Sequence, residues 1–474
     1  MNRDSALNSR KKTPSIEEET IAAISTPLGE SGIGIVRMSG PSAEAIARKL
    51  FKPKRNQSRF VSHHFRYGEI IDIQSGKAVD EVLIVLMKSP KTYTMEDIVE
   101  IHCHGGYLII QKVLELVLRN GARMAQPGEF TKRAFLNGRI DLTQAEAVID
   151  MIRAKTVVSL EIANQQLRGW LYRELGRLKT RLVEDLALIE AHIDFPEEEI
   201  ESISLRKMEQ GMRGMVQQLE GWVASYEEGR IFREGISCAI IGKTNVGKSS
   251  LLNALLREER AIVTAVPGTT RDVIEEILNI YGIPVRLIDT AGLRKAGDSI
   301  EQEGVRRAKE RLADSDFVLL MLDGSRVLDE DDKEIFEEVK GKKKVVILNK
   351  EDLPQKISVG EMKKRFVDDP IVSISALKGE GIDDLKKTIY TSLLQRDVRA
   401  SPEDLIVANI RHKNALIQIR GNLSNAMKGM GEGTSFEFIA FEIRSALEVL
   451  GELVGETTNE EVLNRIFDQF CIGK

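Results

Sequence analysis

Cysteine is almost missing from this chain: three residues, Cys103, Cys238 and Cys471, in 474. So few thiols, so far apart, exclude a disulfide framework and point to a reducing compartment. No stretch of eighteen apolar residues occurs, which excludes a membrane-spanning helix. The first fifteen residues lack the apolar segment of a secretory signal. Arg3, Arg10, Lys11 and Lys12 hint at organelle targeting, but Glu17, Glu18 and Glu19 follow and no apolar face forms. Residues 1–19 therefore read as a disordered tail, and a cytoplasmic location is expected. Neither sign of charge dominates. A net charge of −5 excludes a general nucleic-acid adhesive, so any RNA handling needs a local basic patch or a partner.

What is present is length. A chain of 474 residues, 42% of them hydrophobic, exceeds one core, and two to four domains are expected. Between Gly242 and Leu377 five short segments follow in order. They are Gly242-Lys-Thr-Asn-Val-Gly-Lys-Ser249, Gly268-Thr-Thr-Arg-Asp272, Asp289-Thr-Ala-Gly292, Asn349-Lys-Glu-Asp352 and Ser375-Ala-Leu377. The first has the context of a phosphate loop, with an apolar strand pattern at 236–241 before it and a helix pattern at 250–256 after it. Gly242 and Gly247 let the backbone N–H groups converge on phosphate oxygens. Lys248 reaches the terminal phosphates and Ser249 holds magnesium.

Asp352 selects the base. Guanine offers two adjacent donors, which match a carboxylate's two acceptors; adenine has no such pair. Asn349 and Lys350 are expected to flank the base, and the Ser375-Ala376 backbone to meet its carbonyl. Strand patterns at 285–288, 318–322, 345–348 and 371–374 put each loop at a strand's carboxyl end. A GTPase domain over 233–397 follows. After the Asp-x-x-Gly turn, Leu293 stands where Ras-like switches carry a water-orienting glutamine. Hydrolysis then needs another group: Glu301, or a monovalent cation held by the Asn245 carbonyl beside the β/γ bridge. Glu301 reads equally as a carboxylate in the first turn of a helix.

Outside that domain two patterns appear. Residues 20–138 mix strands at 21–24, 33–38, 82–87 and 98–102 with helices at 43–50 and 107–119, an α+β domain. Gly29, Gly32 and Gly34 precede a strand rather than opening a helix, which rejects a dinucleotide fingerprint. From Asp141, with Thr143 and Glu146 read as a capping box, 3.6-residue periodicity runs to about Arg230, broken at Asp194-Phe-Pro196, and resumes over 405–470. One helical domain, 139–232 plus 398–474, with the GTPase inserted, buries both sets of apolar faces; two independent bundles are the alternative. His102-Cys103-His104 does not suit a metal, because alternate strand residues face opposite ways. The ending Cys471-Ile-Gly-Lys474 fits a prenylation box poorly. It reads either as a frayed helix end or as a reactive thiol on a short tail.

Taken together, Ser31-Gly-Ile-Gly-Ile-Val-Arg-Met-Ser-Gly40, His104-Gly-Gly106, Pro127-Gly-Glu-Phe-Thr-Lys-Arg-Ala-Phe-Leu-Asn137, the GTPase set and Cys471-Ile-Gly-Lys474 resemble the MnmE (TrmE) family of tRNA modification GTPases. The likeness runs from about Thr20 to Lys474. It implies a tetrahydrofolate-binding, dimerising α+β domain, an all-α helical domain and an inserted Ras-like α/β P-loop GTPase. It also implies a homodimer that works with an FAD-dependent MnmG (GidA) partner on C5 of the tRNA wobble uridine, without a membrane.

Carried over residue by residue, a 5-formyltetrahydrofolate or related folate falls on Arg37, Glu100, Arg139 and Lys474. Potassium falls on Asn245, Thr264, Val266 and Thr269, and magnesium on Ser249 and Thr270. The nucleotide set also includes Val246, Gly247, Lys248, Ser250, Ala265, Pro267, Gly268, Asp289, Thr290, Ala291 and Gly292. Candidate catalytic residues are Glu301, Cys471 and Arg271. Met95 stands where the family usually has glycine, and Lys243-Thr244 where it has Arg-Pro. A ribosome-assembly GTPase without modifying chemistry is the rival reading, since it needs neither the folate-like segment nor Cys471.

Overall fold

The computed structural model describes residues 19–54, 60–195, 202–259, 276–288, 312, 315–394 and 407–474. These fall into two compact units, residues up to Ile149 with Thr458–Lys474, and the chain from Asp150 to Thr457.

The first unit is built on a seven-stranded sheet. Its strands are β1 (Ile21–Ile24), β2 (Gly34–Ser39), β3 (Phe51–Pro53), β4 (His64–Ile71), β5 (Ala78–Met87), β6 (Ile98–Cys103) and β7 (Arg123–Met124), in the order β3-β4-β5-β6-β2-β1-β7. Neighbours are antiparallel except β1 and β7. Alternation decides which face is covered: Val36, Met38, Ile84, Val99 and Ile101 point into a core shared with the helices Ala43–Leu50 and Tyr107–Arg119. Gly34 permits that packing, because a Cβ there would lie 2.1 Å from Ile110 Cδ1. On the other face Phe65, Tyr67 and Leu83 are 57%, 52% and 45% exposed.

Two further helices, Leu142–Arg153 and Glu460–Phe467, gather Leu142, Ile149, Leu463, Phe467 and Phe470 into a small core of their own. The helix expected to start on a Thr143–Glu146 box is capped two residues earlier. Asp141 Oδ1 accepts from the N–H of Thr143 (2.8 Å) and of Gln144 (3.1 Å), while Gln144 Oε1 accepts from Asp141 N–H at 3.0 Å. Aspartate caps as well as threonine, and Thr143 is fully buried in the first turn.

The second unit holds a six-stranded sheet: β8 (Ile236–Ile241), β9 (Glu276–Ile280), β10 (Ile283–Leu287), β11 (Phe317–Asp323), β12 (Lys344–Asn349) and β13 (Ile371–Ser373), ordered β13-β12-β11-β8-β10-β9. Every pair is parallel except the β9–β10 hairpin. All six residues of β8 and of β12 are buried, as a parallel sheet covered on both faces requires. Sequence order reverses on either side of β8, so the crevice at its carboxyl end is the expected ligand site.

The helices Trp170–Asp194, Ser202–Ala224, Ile410–Glu432 and Phe436–Val454 share one core. It joins Leu175, Leu182 and Met212 from before the sheet domain to Leu416, Ile443 and Leu450 from after it. The α/β domain is therefore an insertion into a helical one. No helix among the described residues is long and apolar enough to cross a membrane.

Candidate functional site

The loop between β8 and the helix Lys248–Glu259 is shaped by what glycine leaves empty. A Cβ on Gly242 would lie 2.3 Å from the Met321 carbonyl oxygen, and one on Gly247 (φ 106°) 2.3 Å from Asn349 Nδ2. Asn245, exposed at the loop's crown, takes the left-handed conformation (φ 61°) that asparagine tolerates better than most residues. Lys248 folds back so that Nζ donates to the carbonyls of Gly242 (2.7 Å) and Lys243 (2.5 Å). Its charge is thus held at the mouth of the cradle. Ser249 lies in the first helical turn, where a hydroxyl can reach a metal held beside phosphates.

Asn349, at the end of β12, has a role the sequence did not disclose. Its Nδ2 donates to Val246 O at 2.8 Å, and its Oδ1 accepts from Ala376 N–H at 2.9 Å. The side chain is buried and ties the phosphate loop to the Ser375-Ala376 loop. Lys350 is left-handed (φ 67°), and its Nζ donates to Asp323 Oδ2 at 2.6 Å. Burial disfavours the Asp323 charge, but Lys350 and Ser325 outweigh it and leave that carboxyl below its usual range. Asp352 accepts from Ser375 Oγ at 2.7 Å, and this bond lowers its pKa, keeping it an ionised acceptor.

Lys243, outside the cradle, is bound to Asp332 at 2.8 Å and to Asp329, the capping pair of the helix Glu330–Glu338. Thr264, Ala265, Val266, Pro267, Gly268, Thr269, Thr270 and Arg271 lie outside the described residues, as do Asp289, Thr290, Ala291, Gly292, Leu293 and Glu301.

In the first unit a second site takes form around two aromatic rings. Arg37 and Glu100 are register partners on β2 and β6 and form an ion pair at 2.8 Å. The Arg37 guanidinium lies 5.8 Å from the ring of Phe130, a fully buried residue of the helix Glu129–Leu136. Tyr93 packs against the same cluster, and Arg139 stacks on Tyr93 at 4.8 Å. Beside Tyr93 and Arg139 opens a cavity of about 500 Å³, lined by Met87, Pro90, Lys91, Thr92, Tyr93, Met95 and Arg139; Arg37, Glu100 and Lys474 do not line it. That volume suits a cofactor-sized ligand, and an aromatic wall with a guanidinium suits a flat, anionic one. Met95 sits at φ 61°, the left-handed conformation that glycine adopts without strain.

The tail is no frayed helix end. Ile472 bridges Pro127, Phe130 N–H donates to Lys474 O at 3.2 Å, and a Cβ on Gly473 would lie 2.3 Å from Ile24 O. Lys474 is thereby held next to Phe130, while Cys471 is exposed. Arg37 and the Lys474 carbonyl are thus each linked to Phe130, Glu100 joins through Arg37, and Arg139 reaches the same cluster through Tyr93.

Holding this together is an ion-pair chain that sequence reading missed. Arg133 is 5% exposed and donates to Glu96 (3.0 Å) and Glu129 (3.0 Å). Glu129 also takes two bonds from Arg123, at 2.8 and 2.6 Å. The four-residue spacing of Glu129 and Arg133 was its one visible signal. His102 and His104 pair with separate carboxylates, Glu100 at 3.2 Å and Asp80 at 2.7 Å.

Comparison with known proteins identifies the family. A family model described as GTP-binding protein TrmE N-terminus matches residues 20–139, and one described as MnmE helical domain matches residues 142–471. The chain is 49% identical to a Geobacter sulfurreducens protein named tRNA modification GTPase MnmE, over 96% of this chain and 99% of that one. A Bacillus licheniformis protein of the same name is 46% identical, over 96% and 100%. Among solved structures, the G domain of the T. maritima FeoB iron transporter aligns at 30% identity over 33% of this chain and 98% of its own, with a TM-score of 0.26.

Proposed function

Because this chain belongs to the MnmE family of tRNA modification GTPases, we propose that it couples GTP hydrolysis to modification of C5 of the tRNA wobble uridine. In this reading a tetrahydrofolate carries the one-carbon unit, and an FAD-dependent MnmG-like partner completes the chemistry in the cytoplasm, giving aminomethyl or carboxymethylaminomethyl groups. The observation that carries it is the coexistence of two built pockets in one chain: a phosphate cradle stapled by Asn349, and a cavity walled by Tyr93 and Arg139. A GTPase that only scaffolds RNA has no use for the second.

In the nucleotide domain, Asp352 presents acceptors to guanine, the cradle's N–H groups and Lys248 neutralise phosphate charge, and Ser249 with Thr270 supplies magnesium oxygens. Asn245 is exposed at the crown, which fits a carbonyl ligand for potassium, shared with Thr264, Val266 and Thr269. A bound cation there supplies positive charge at the developing anion. Glu301 then orients water, the task for which Leu293 is chemically unfit, and Arg271 belongs to the same switch. In the first unit Arg37, Glu100, Arg139 and Lys474 hold the folate, and Cys471 lies on the same tail as Lys474. Dimerisation is supported by the sheet face bearing Phe65, Tyr67 and Leu83, an apolar patch that a second copy would cover.

Two measurements test this. GTP turnover should be faster in potassium than in sodium salts, because the smaller ion fits a backbone-oxygen cage poorly; equal rates refute the cage. Mass analysis of tRNA from cells lacking the chain should show unmodified wobble uridine. Normal nucleosides there refute the modifying function.

A further inference from the structure

A chain of net charge −5 that acts on tRNA needs its positive potential concentrated somewhere. The densest basic run in the helical domain is the stretch from Arg168 to Arg181, which carries five basic residues (Arg168, Arg173, Arg177, Lys179, Arg181) against one acidic, Glu174. Three of these cations are already engaged: Arg173 donates to Arg168 O at 2.7 Å, Arg177 pairs with Glu174 at 2.5 Å, and Lys179 pairs with Glu456. Arg181 is different. Like Arg168 it is exposed, with no side-chain hydrogen bond or ion pair within 4 Å among the described residues, though its charge acts on Asp185 one turn on.

Its position is nonetheless built. The guanidinium lies across the neighbouring helix, Ser202–Ala224, where Gly211 provides the room: a Cβ at 211 would be 2.4 Å from Arg181 Nη2 and 3.0 Å from Cζ. Gly214 and Gln218 continue that floor. With Met215 on this wall and Glu174, Arg177, Leu178 and Arg181 on the other they enclose a groove of about 390 Å³, in which Glu174 is the one carboxylate and is paired with Arg177. Arg206 and Lys207 add charge on the second helix, where Arg213 is paired with Glu209 at 3.0 Å. A guanidinium presents five donors in a fixed fork matched to phosphate, and glycine lets a sugar–phosphate strand approach the helix backbone closely.

We propose that the groove between the helices Trp170–Asp194 and Ser202–Ala224 is a docking surface for the tRNA phosphate backbone, with Arg181 as its principal contact and Arg177, at 75% side-chain exposure, as the second on exchanging Glu174 for phosphate. The assignment rests on the reading that the chain acts on tRNA. It reads no base: a guanidinium on a glycine floor positions a backbone and leaves sequence choice to other surfaces.

The test is the salt dependence of tRNA binding by the full chain, followed by anisotropy of a labelled tRNA transcript. Each phosphate that is no longer neutralised lowers the slope of log K against log salt by about one. Arg181→Ala should weaken binding about five- to tenfold near 0.1 M salt and reduce the slope by about one, and R177A/R181A by about two. Arg181→Lys should keep the slope. Gly211→Ala, which displaces the guanidinium without removing charge, should weaken binding with the slope intact. GTP turnover should be unchanged in all of them, which shows the variants are folded.

If wild-type protein binds tRNA and R177A/R181A binds with the same affinity and slope, the groove assignment is overturned while the tRNA reading stands. A wild-type chain that does not bind tRNA overturns both. Loss of a protein partner with tRNA binding intact would assign the groove to that partner and also overturn the proposal.

Discussion

Asp185 is the least comfortable residue in the helical core. It sits in the helix Trp170–Asp194 at 9% exposure, and its Oδ2 finds no hydrogen-bond partner among the described residues. Burial pushes its carboxyl up to about 6, with the Arg181 charge offsetting only part of the effect. An ordinary aspartate titrates near 4, so the shift is about two units, each worth about 1.4 kcal/mol if fully felt. Water still reaches part of the side chain, which discounts the cost of the charge to about 1–2 kcal/mol at neutral pH.

The sign follows from linkage. A carboxyl whose folded pKa is raised destabilises the fold in full above about pH 6; the cost falls as pH drops through the window between that value and the ordinary aspartate pKa near 4, and is gone below it. Asp185→Asn, neutral at every pH, should therefore be more stable than wild type by about 1–2 kcal/mol at pH 7.5, which is about 3–6 °C in melting temperature. The two proteins should converge as pH falls from about 6 to about 4 and melt together at about pH 3. The chain's two tryptophans, Trp170 and Trp222, lie edge to face at 6.1 Å and belong to this same core. Their fluorescence isolates the helical domain from the rest of the chain. A gap of equal size at both pH values, or a variant less stable at pH 7.5, would refute the reasoning.

Gly247→Ala should fold yet lose nucleotide binding, measured by calorimetry, because the new methyl would drive Asn349 Nδ2 off the loop; retained binding would show the staple is dispensable. Asp352→Asn should weaken GTP binding roughly a hundredfold and improve that of xanthosine triphosphate, whose ring carbonyl accepts from an amide, as read by the same calorimetry. Met95→Gly should raise the stability of the first unit by about 0.5 kcal/mol, the left-handed strain relieved less the entropy of glycine, as read by thermal melting. Iodoacetamide at pH 8 should label Cys471 alone, by mass mapping, since burial pushes Cys103 up to about 11 and Cys238 up to about 12.

The nucleotide domain was legible in the sequence because its strands are continuous apolar runs and its loops are glycine-shaped. Strands expected at 236–241 and 345–348 appear at Ile236–Ile241 and Lys344–Asn349. β9 escaped notice because Glu276–Ile280 has only five residues and ends in Tyr281-Gly282, a turn without strong pattern. In the first unit β4 was missed for a related reason. Its outward residues Phe65 and Tyr67 are aromatic, and its inward Gly68 lets Phe51 approach, so the polar–apolar alternation is blurred. The second pocket was legible only by family likeness. Its lining comes from the end of β5, the loop at 90–95 and Arg139, and the neighbouring Phe130 cluster draws on β2 and the last four residues; no spacing rule links positions so far apart. The stretch Ala125–Gly138 looked specific and chemically mute for the same cause: Glu129 and Arg133 act inward, on partners distant in sequence.

An inserted domain needs a firm connection if its chemistry is to be felt by its host, and here the connection is more than the two chain crossings. The β9–β10 hairpin tip is gripped by the helix Val157–Leu167. Thr156, the N-cap, accepts from Ser159 N–H at 3.1 Å and donates through Oγ1 to Gly282 O at 2.8 Å. Ser159 Oγ donates to Phe232 O at 2.7 Å. Gly282 (φ 92°) leaves room for Val158, whose Cγ2 would be 2.4 Å from a Cβ there. Ile162, Phe232 and Ala408, all outside the inserted sequence, are buried in the core of the nucleotide domain itself. These hydroxyls are buried, so separating the hairpin from Thr156 would strand polar groups at about 1–3 kcal/mol each. The hairpin and the helix are therefore held as one body, and β9 begins at Glu276, shortly after Arg271 in the sequence. Whatever displaces β9 must displace the helix Val157–Leu167 or break those bonds.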